Sequence, residues 1–171
     1  TTWAANLSYF DSVRNVTYDN WRLPTTTDTG TAGCNYAYSG TDCGYNVDLA
    51  SSEMAHLYFV ELGNQSYFTT TGADSGAYAG GANPSSTLDN VGPFVNFQSY
   101  RYWSGTEYAS NPAYAWDFHT RYGGQVNGGK TDSFSALAVR PGDVAAVPEA
   151  QTYALMLAGL GLIGWRARRR G

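Results

Sequence analysis

The apolar run from Tyr153 to Trp165, closed by Arg166, Arg168, Arg169 and Arg170 just before Gly171, constrains this chain more than any other feature. A segment apolar on all faces leaves water, and the guanidiniums behind it do not follow it through hydrocarbon. Such a segment threads into a bilayer and halts with its positive end in the cytoplasm. Everything before Val147 then lies on the far side. Thirteen apolar residues fall short of the about 20 that a span needs. Counting from Pro148 gives 18. Gly159, Gly161 and Gly164 weaken a soluble helix here. We therefore read a membrane helix at about 150–165, preceded by the short motif Val147-Pro148-Glu149-Ala150.

Residues 1–142 make one domain, and 143–147 read as a linker to the tail at 147–171. With 43% hydrophobic and 15% aromatic residues, the chain can build a core. Only 14% is charged, against about 25% in an average soluble domain. Four of the ten basic residues lie at 166 or beyond. Residues 1–165 thus carry six positive and 14 negative charges, a net of −8. An acidic body of this kind does not suit a phosphate backbone, so nucleic acid is not an expected partner. The chain begins Thr1-Thr2-Trp3, and an exported protein needs an N-terminal signal, so a truncated N-terminus is expected.

Cys34 and Cys43 are the only cysteines, ten residues apart inclusively in a turn-rich stretch. Export permits a disulfide between them, which would stabilise by roughly 2–3 kcal/mol. No nearby histidines complete a metal site.

Two helices are expected. In the first, Thr2 caps and Trp3, Leu7 and Phe10 form one stripe. In the second, Ser51 caps, Glu53 lies in the first turn, Met54, Leu57, Tyr58 and Leu62 are buried, and Gly63-Asn64 ends it. Pro24 makes 21–25 a short extended segment. Residues 69–92 form a long loop. Strands are expected around Tyr100–Ser104, Tyr114–His119 and Ser135–Arg140, with Gly-rich turns at 123–124 and 128–129. Helices first and short antiparallel strands last predict an α+β domain.

Two resemblances follow from these residues. Val147-Pro148-Glu149, the apolar run and the arginines resemble a PEP-CTERM sorting signal, with Ala150 where proline is usual. The resemblance implies an exosortase-type processing enzyme as partner and an inner-membrane-anchored precursor in a Gram-negative bacterium. Cleavage near the motif and release to the cell surface or extracellular matrix would follow. The body resembles the C-terminal domain family of bacterial collagen-like adhesins. That likeness rests on Trp3, Asn20-Trp21-Arg22-Leu23-Pro24-Thr25, Tyr102-Trp103-Ser104-Gly105-Thr106, Ala115-Trp116 and Ala138-Val139-Arg140-Pro141, with Gly105 where Ser is usual. It implies a C-type-lectin-like fold: two helices packed on a twisted antiparallel sheet, with long loops at one end.

The catalytic inventory is thin. His56 faces solvent from its helix and His119 ends a strand, and neither has a sequence partner that makes a nucleophile–base pair. Asn83-Pro84 and Asn111-Pro112 are preceded by Ala82 and Ser110, so the acidic calcium ligand of sugar-binding lectins is missing, while Asp74, Asp89 and Asp117 are scattered. No cofactor or metal is expected. Trp21, Trp103 and Trp116 are read as core, and Tyr78, Tyr108 and Tyr122 as loop-borne rings that could stack on sugars. Arg22 and Arg140 are read as fixing loop geometry. The expectation is a non-enzymatic exported protein that binds polysaccharide or a surface partner. A structural biofilm-matrix component is the alternative. An enzyme of the formylglycine-generating type ranks below both, because the two cysteines lie close together in a loop.

Overall fold

A computed structural model describes residues 2–30, 36–77 and 86–140. The chain divides into two units, Thr1–Arg140 and Pro141–Gly171. The linker, the sorting motif, the membrane helix and its arginines lie outside the described residues, as do Cys34 and Tyr78.

The first unit is mostly sheet with few short helices, α+β in the coarse sense. Helix α1 spans Thr2–Ala5, β1 Tyr9–Asp11, β2 Val16–Tyr18 and β3 Gly44–Tyr45. Helix α2 spans Glu53–His56 and runs on as a π-helical turn, Leu57–Glu61. Strands β4, Arg101–Glu107, β5, Tyr114–His119, and β6, Gly124–Gly129, follow. β1 and β2 form a separate hairpin, and the main sheet is antiparallel in the order β3-β6-β5-β4.

The opening stripe does not form a helix through Phe10. The helix stops at Ala5, Trp3 is 52% exposed, and Tyr9–Asp11 pairs with Val16–Tyr18. Turn chemistry overrides the periodicity. The Asp11 carboxylate accepts from the backbone N–H of Val13 and Arg14 and from the Arg14 guanidinium, and Asn15 takes a left-handed backbone. This reverses the chain before a helix can extend.

The second helix forms where expected, capped one residue later. Ser52, not Ser51, adopts the extended cap conformation and its Oγ accepts from Ala55 N–H. The same hydroxyl donates to Gln125 Oε1 at 2.7 Å, which pins the helix start to β6. Met54, Tyr58 and Leu62 are buried, and Leu57 packs beside them. Gly63, at positive φ, ends the helix, and Asn64 N–H reaches Tyr58 C=O.

The core lies between this helix and one face of the sheet. Tyr58, Leu62, Val47, Leu88 and Phe97 surround Tyr102 of β4 and Phe118 of β5. Tyr102 and Phe118 are register partners, so both rings project to the helix side. Truncating a ring such as Phe118 to Ala costs about 3–5 kcal/mol. A second cluster joins Cys43, Tyr108 and Trp116.

Two further expectations are corrected. The glycines at 124, 128 and 129, expected in turns, instead lie in the strand β6, paired along its whole length with β5. Its glycines answer packing: a Cβ at Gly128 would meet the Phe134 ring at 2.5 Å. Conversely, Ser135–Arg140 makes only two isolated bridges, Ser135 with Tyr102 and Val139 with Arg22. Its backbone bonds go to Arg101, Trp103 and Arg22, so it clips the sheet edge to the 21–25 segment rather than forming a strand of its own.

Candidate functional site

Strand register assembles the site. Tyr102, Phe118 and Gln125 form a row facing the helix. Side chains alternate along a strand, so the neighbouring row faces the other way. That row is Tyr45 opposite Gly124, Gly124 opposite His119, and His119 opposite Arg101, one line across all four strands. These four residues line a groove of about 320 Å³, together with Tyr36, Tyr122, Val126 and Asn127. Gly124 forms its floor. A Cβ there would come within 3.2 Å of Gly44 C=O and 3.5 Å of the Tyr45 ring.

One side of the groove is a chain of aromatic contacts. Tyr38 meets Tyr45 and Phe68, Phe68 meets Tyr45 and Tyr67, Tyr67 meets Tyr122, and Tyr122 meets His119 at 4.6 Å between centroids. Asn46 holds this wall: its amide donates to Tyr38 C=O at 2.9 Å and Phe68 C=O at 2.8 Å, from a left-handed backbone. Tyr36 is 61% exposed at the rim.

The other side is charged. Arg101 forks onto Asp117, Nε to Oδ1 at 2.7 Å and Nη2 to Oδ2 at 2.6 Å, and its guanidinium lies 4.1 Å over the Phe134 ring. Asp117 is fully buried. Burial outweighs the arginine and pushes its carboxyl up to about 6. Burial, with Arg101 and Arg121 nearby, pulls His119 down to about 4, so its imidazole is neutral at pH 7. His119 Nδ1 is buried with no hydrogen-bond partner among the described residues. Burial first, and neighbouring tyrosines second, push the Tyr45 hydroxyl up, so it remains a neutral donor.

Of the three tyrosines expected to meet a ligand, Tyr122 lines this groove. Tyr108 does not present its ring: it is 7% exposed and packs edge-on against Trp116 at 5.2 Å. The turn 108–114 folds it inward, with Tyr108 N–H on Tyr114 C=O. Tyr78 lies outside the described residues. Among the tryptophans, Trp116 is core and its indole donates to Asp28 at 2.8 Å. Trp21 and Trp103 are half-buried. Trp103 stacks on Phe134 and lines a second recess of about 440 Å³ with Glu107 and Lys130, which pair with each other. Arg22 forks onto the Glu53 carboxylate as expected, whereas Arg140 lies over the Tyr18 ring at 3.8 Å. Cys43 is buried and is not a free thiol.

Comparison with known families matches residues 146–170 to the PEP-CTERM protein-sorting motif. The tail is a PEP-CTERM sorting signal. It marks an exported protein whose precursor is membrane-anchored and addressed to exosortase in a Gram-negative bacterium. Comparison with curated proteins and with solved structures returned no match. The likeness of the body to collagen-like adhesins gains no support from these comparisons. Among the described residues, no helix is long and apolar enough to cross a membrane and no cluster of metal-ligating side chains forms. The PEP-CTERM segment itself lies outside them.

Sequence reasoning reached Tyr122 but missed Tyr36, Tyr45, Arg101 and Asn127 as groove residues. Strand register, which needs the position of β6, brings Tyr45 and Arg101 to one face; Tyr36 lies outside the strands.

Proposed function

We propose that this PEP-CTERM protein is an exported, non-enzymatic protein of the cell surface or extracellular matrix that binds polysaccharide in the groove over β3, β6, β5 and β4. The sorting signal at 146–170 carries the reading, because it marks the domain for export and exosortase. The aromatic wall supports the ligand class: tyrosine faces are apolar, their tips hydrogen-bond, and sugars present both kinds of surface. A lectin-like topology and a Cys34–Cys43 disulfide belong to this proposal, the latter holding the loop that carries Tyr36 at the rim. The formylglycine-type alternative needs a reactive thiol, and a buried Cys43 that is not free does not supply one.

Binding is tested by passing the full chain, in detergent micelles, over immobilised exopolysaccharide from the producing bacterium. Retention that falls with Tyr45→Ala and Tyr122→Ala is expected. Passage without retention would overturn the binding part. One observation favours a structural matrix role instead. The β1–β2 hairpin exposes Tyr9, Phe10, Val13 and Val16, with Val13 at 86%, and such side chains suit self-association. Concentration-dependent assembly without glycan retention would select that reading.

A further inference from the structure

We propose that the groove takes an acidic polysaccharide, one carrying carboxylates on its sugar rings; this rests on reading the groove as a glycan site. Its lining is the first ground. Residues 1–140 contain 12 acidic and six basic residues, yet among the described residues no Asp or Glu lines the groove, and an arginine does. The lining offers donors: Arg101 and the hydroxyls of Tyr36, Tyr45 and Tyr122. A neutral sugar offers donors as freely as acceptors and is best held where carboxylates alternate with donors. A uronate adds charged acceptors, and no carboxylate lines this groove among the described residues to repel them.

The cations are the second ground. Arg101 spends Nε and Nη2 on Asp117, and Nη1 has no partner among the described residues. Arg121 lies over the Tyr122 ring at 5.4 Å, beside the groove. A fully buried Asp117 fixes the Arg101 guanidinium in place, so little freedom is lost when an anion arrives. The ligand then meets an oriented Arg101 N–H, its charge offset by Asp117, with the Arg121 guanidinium nearby. That charge pattern selects for position along the polymer rather than for general adhesion to it.

Length is the third ground. From the β3 strand to the β4 strand is three strand spacings, about 14 Å. Several linked rings can lie across that distance, stacked on the tyrosines at one end and with a carboxylate at the arginine end. The ligand is a polymer segment, not a single sugar.

The test uses the full chain in detergent micelles against polygalacturonate, its fully methyl-esterified form and dextran, at low and high salt. Polygalacturonate is expected to bind about tenfold more tightly than the ester, the scale of one charge-assisted contact. That advantage should shrink with salt. Arg121→Gln should reduce polygalacturonate binding several-fold and leave the ester unchanged. Tyr122→Ala should weaken both. Equal binding of acid, ester and dextran would overturn the acidic class while leaving a glycan site. Polygalacturonate binding that ignores both Arg121→Gln and Tyr122→Ala would place the acid elsewhere and overturn the proposal. Binding of none of the three, together with no retention on the host polysaccharide, would overturn the glycan reading itself.

Discussion

Two arginine–carboxylate forks of nearly the same geometry sit on opposite sides of this domain. Arg22 grips Glu53 at 2.6 and 2.7 Å beside the start of α2, and Thr25 adds its backbone N–H and its hydroxyl. Arg101 grips Asp117 at 2.7 and 2.6 Å behind the groove. The arginine holds Glu53 down at about 2, whereas burial drives Asp117 up to about 6. Bond lengths do not separate the two pairs; solvent does. The Glu53 side chain is 41% exposed and the Asp117 side chain 0%. The first fork is a clamp that helps hold α2 to the 21–25 segment. The second is a buried pair behind the groove, costly to ionise and costlier to break.

Breaking each fork sharpens that contrast. Asp117→Ala strands a mostly buried guanidinium and should cost about 3–5 kcal/mol in urea unfolding at pH 7. Glu53→Ala should cost about 1 kcal/mol, because solvent screens that pair. Equal losses would erase the distinction. The paired replacement Arg101→Met with Asp117→Leu should lie within about 2 kcal/mol of wild type, since no charge is left unpaired.

The pH dependence should run in opposite directions. Asp117 has a folded value above its ordinary 3.8, so it contributes stability at low pH that is lost as pH rises from about 4 to about 6. The two-unit shift sets a scale of about 3 kcal/mol. Glu53 has a folded value below its ordinary 4.5, so its contribution is present above that pH and lost as pH falls toward 2. Screening reduces it to about 1 kcal/mol. Urea midpoints across pH should therefore lose their fall between pH 4 and 6 in Asp117→Asn, and part of their acid limb in Glu53→Gln. A wild-type profile flat across both windows would contradict both assignments.

Smaller effects separate the two ends of α2. Ser52→Ala should lower stability by about 1–2 kcal/mol, losing both the cap and the bond to Gln125, while Ser51→Ala should change it by less than about 0.5 kcal/mol. His56, exposed and 3.7 Å from Glu61, should be replaceable by Ala within about 0.5 kcal/mol in thermal melts.

Local chemistry made α2 legible: its apolar residues recur at helical spacing, and Gly63 ends it. The same rule failed at Trp3, Leu7 and Phe10, because Asp11 and Asn15 form a turn that periodicity does not register. Strand β6 was hidden by its glycines, which read as turns but serve close approach to Phe134 and an open groove floor. Tyr108 looked like a surface ring because its neighbours are polar, yet its contact is Trp116, which pairs from another strand. The groove itself was illegible. Tyr45, Arg101, His119 and Gly124 are far apart in sequence and meet only through register, and the alternation that sets their face shows once β6 is in place. The tail was legible throughout, since its signal is contiguous and rests on hydropathy and charge alone.

The PEP-CTERM tail addresses the exported domain, and the proposed function requires its release. The most direct measurement is the intact mass of the protein purified from its own host, with and without exosortase. A C-terminus near Val147–Ala150, reverting to one that keeps residues through Gly171 when exosortase is deleted, is the predicted result. A C-terminus at Gly171 in both strains would contradict it, and would make the chain a permanently anchored membrane protein.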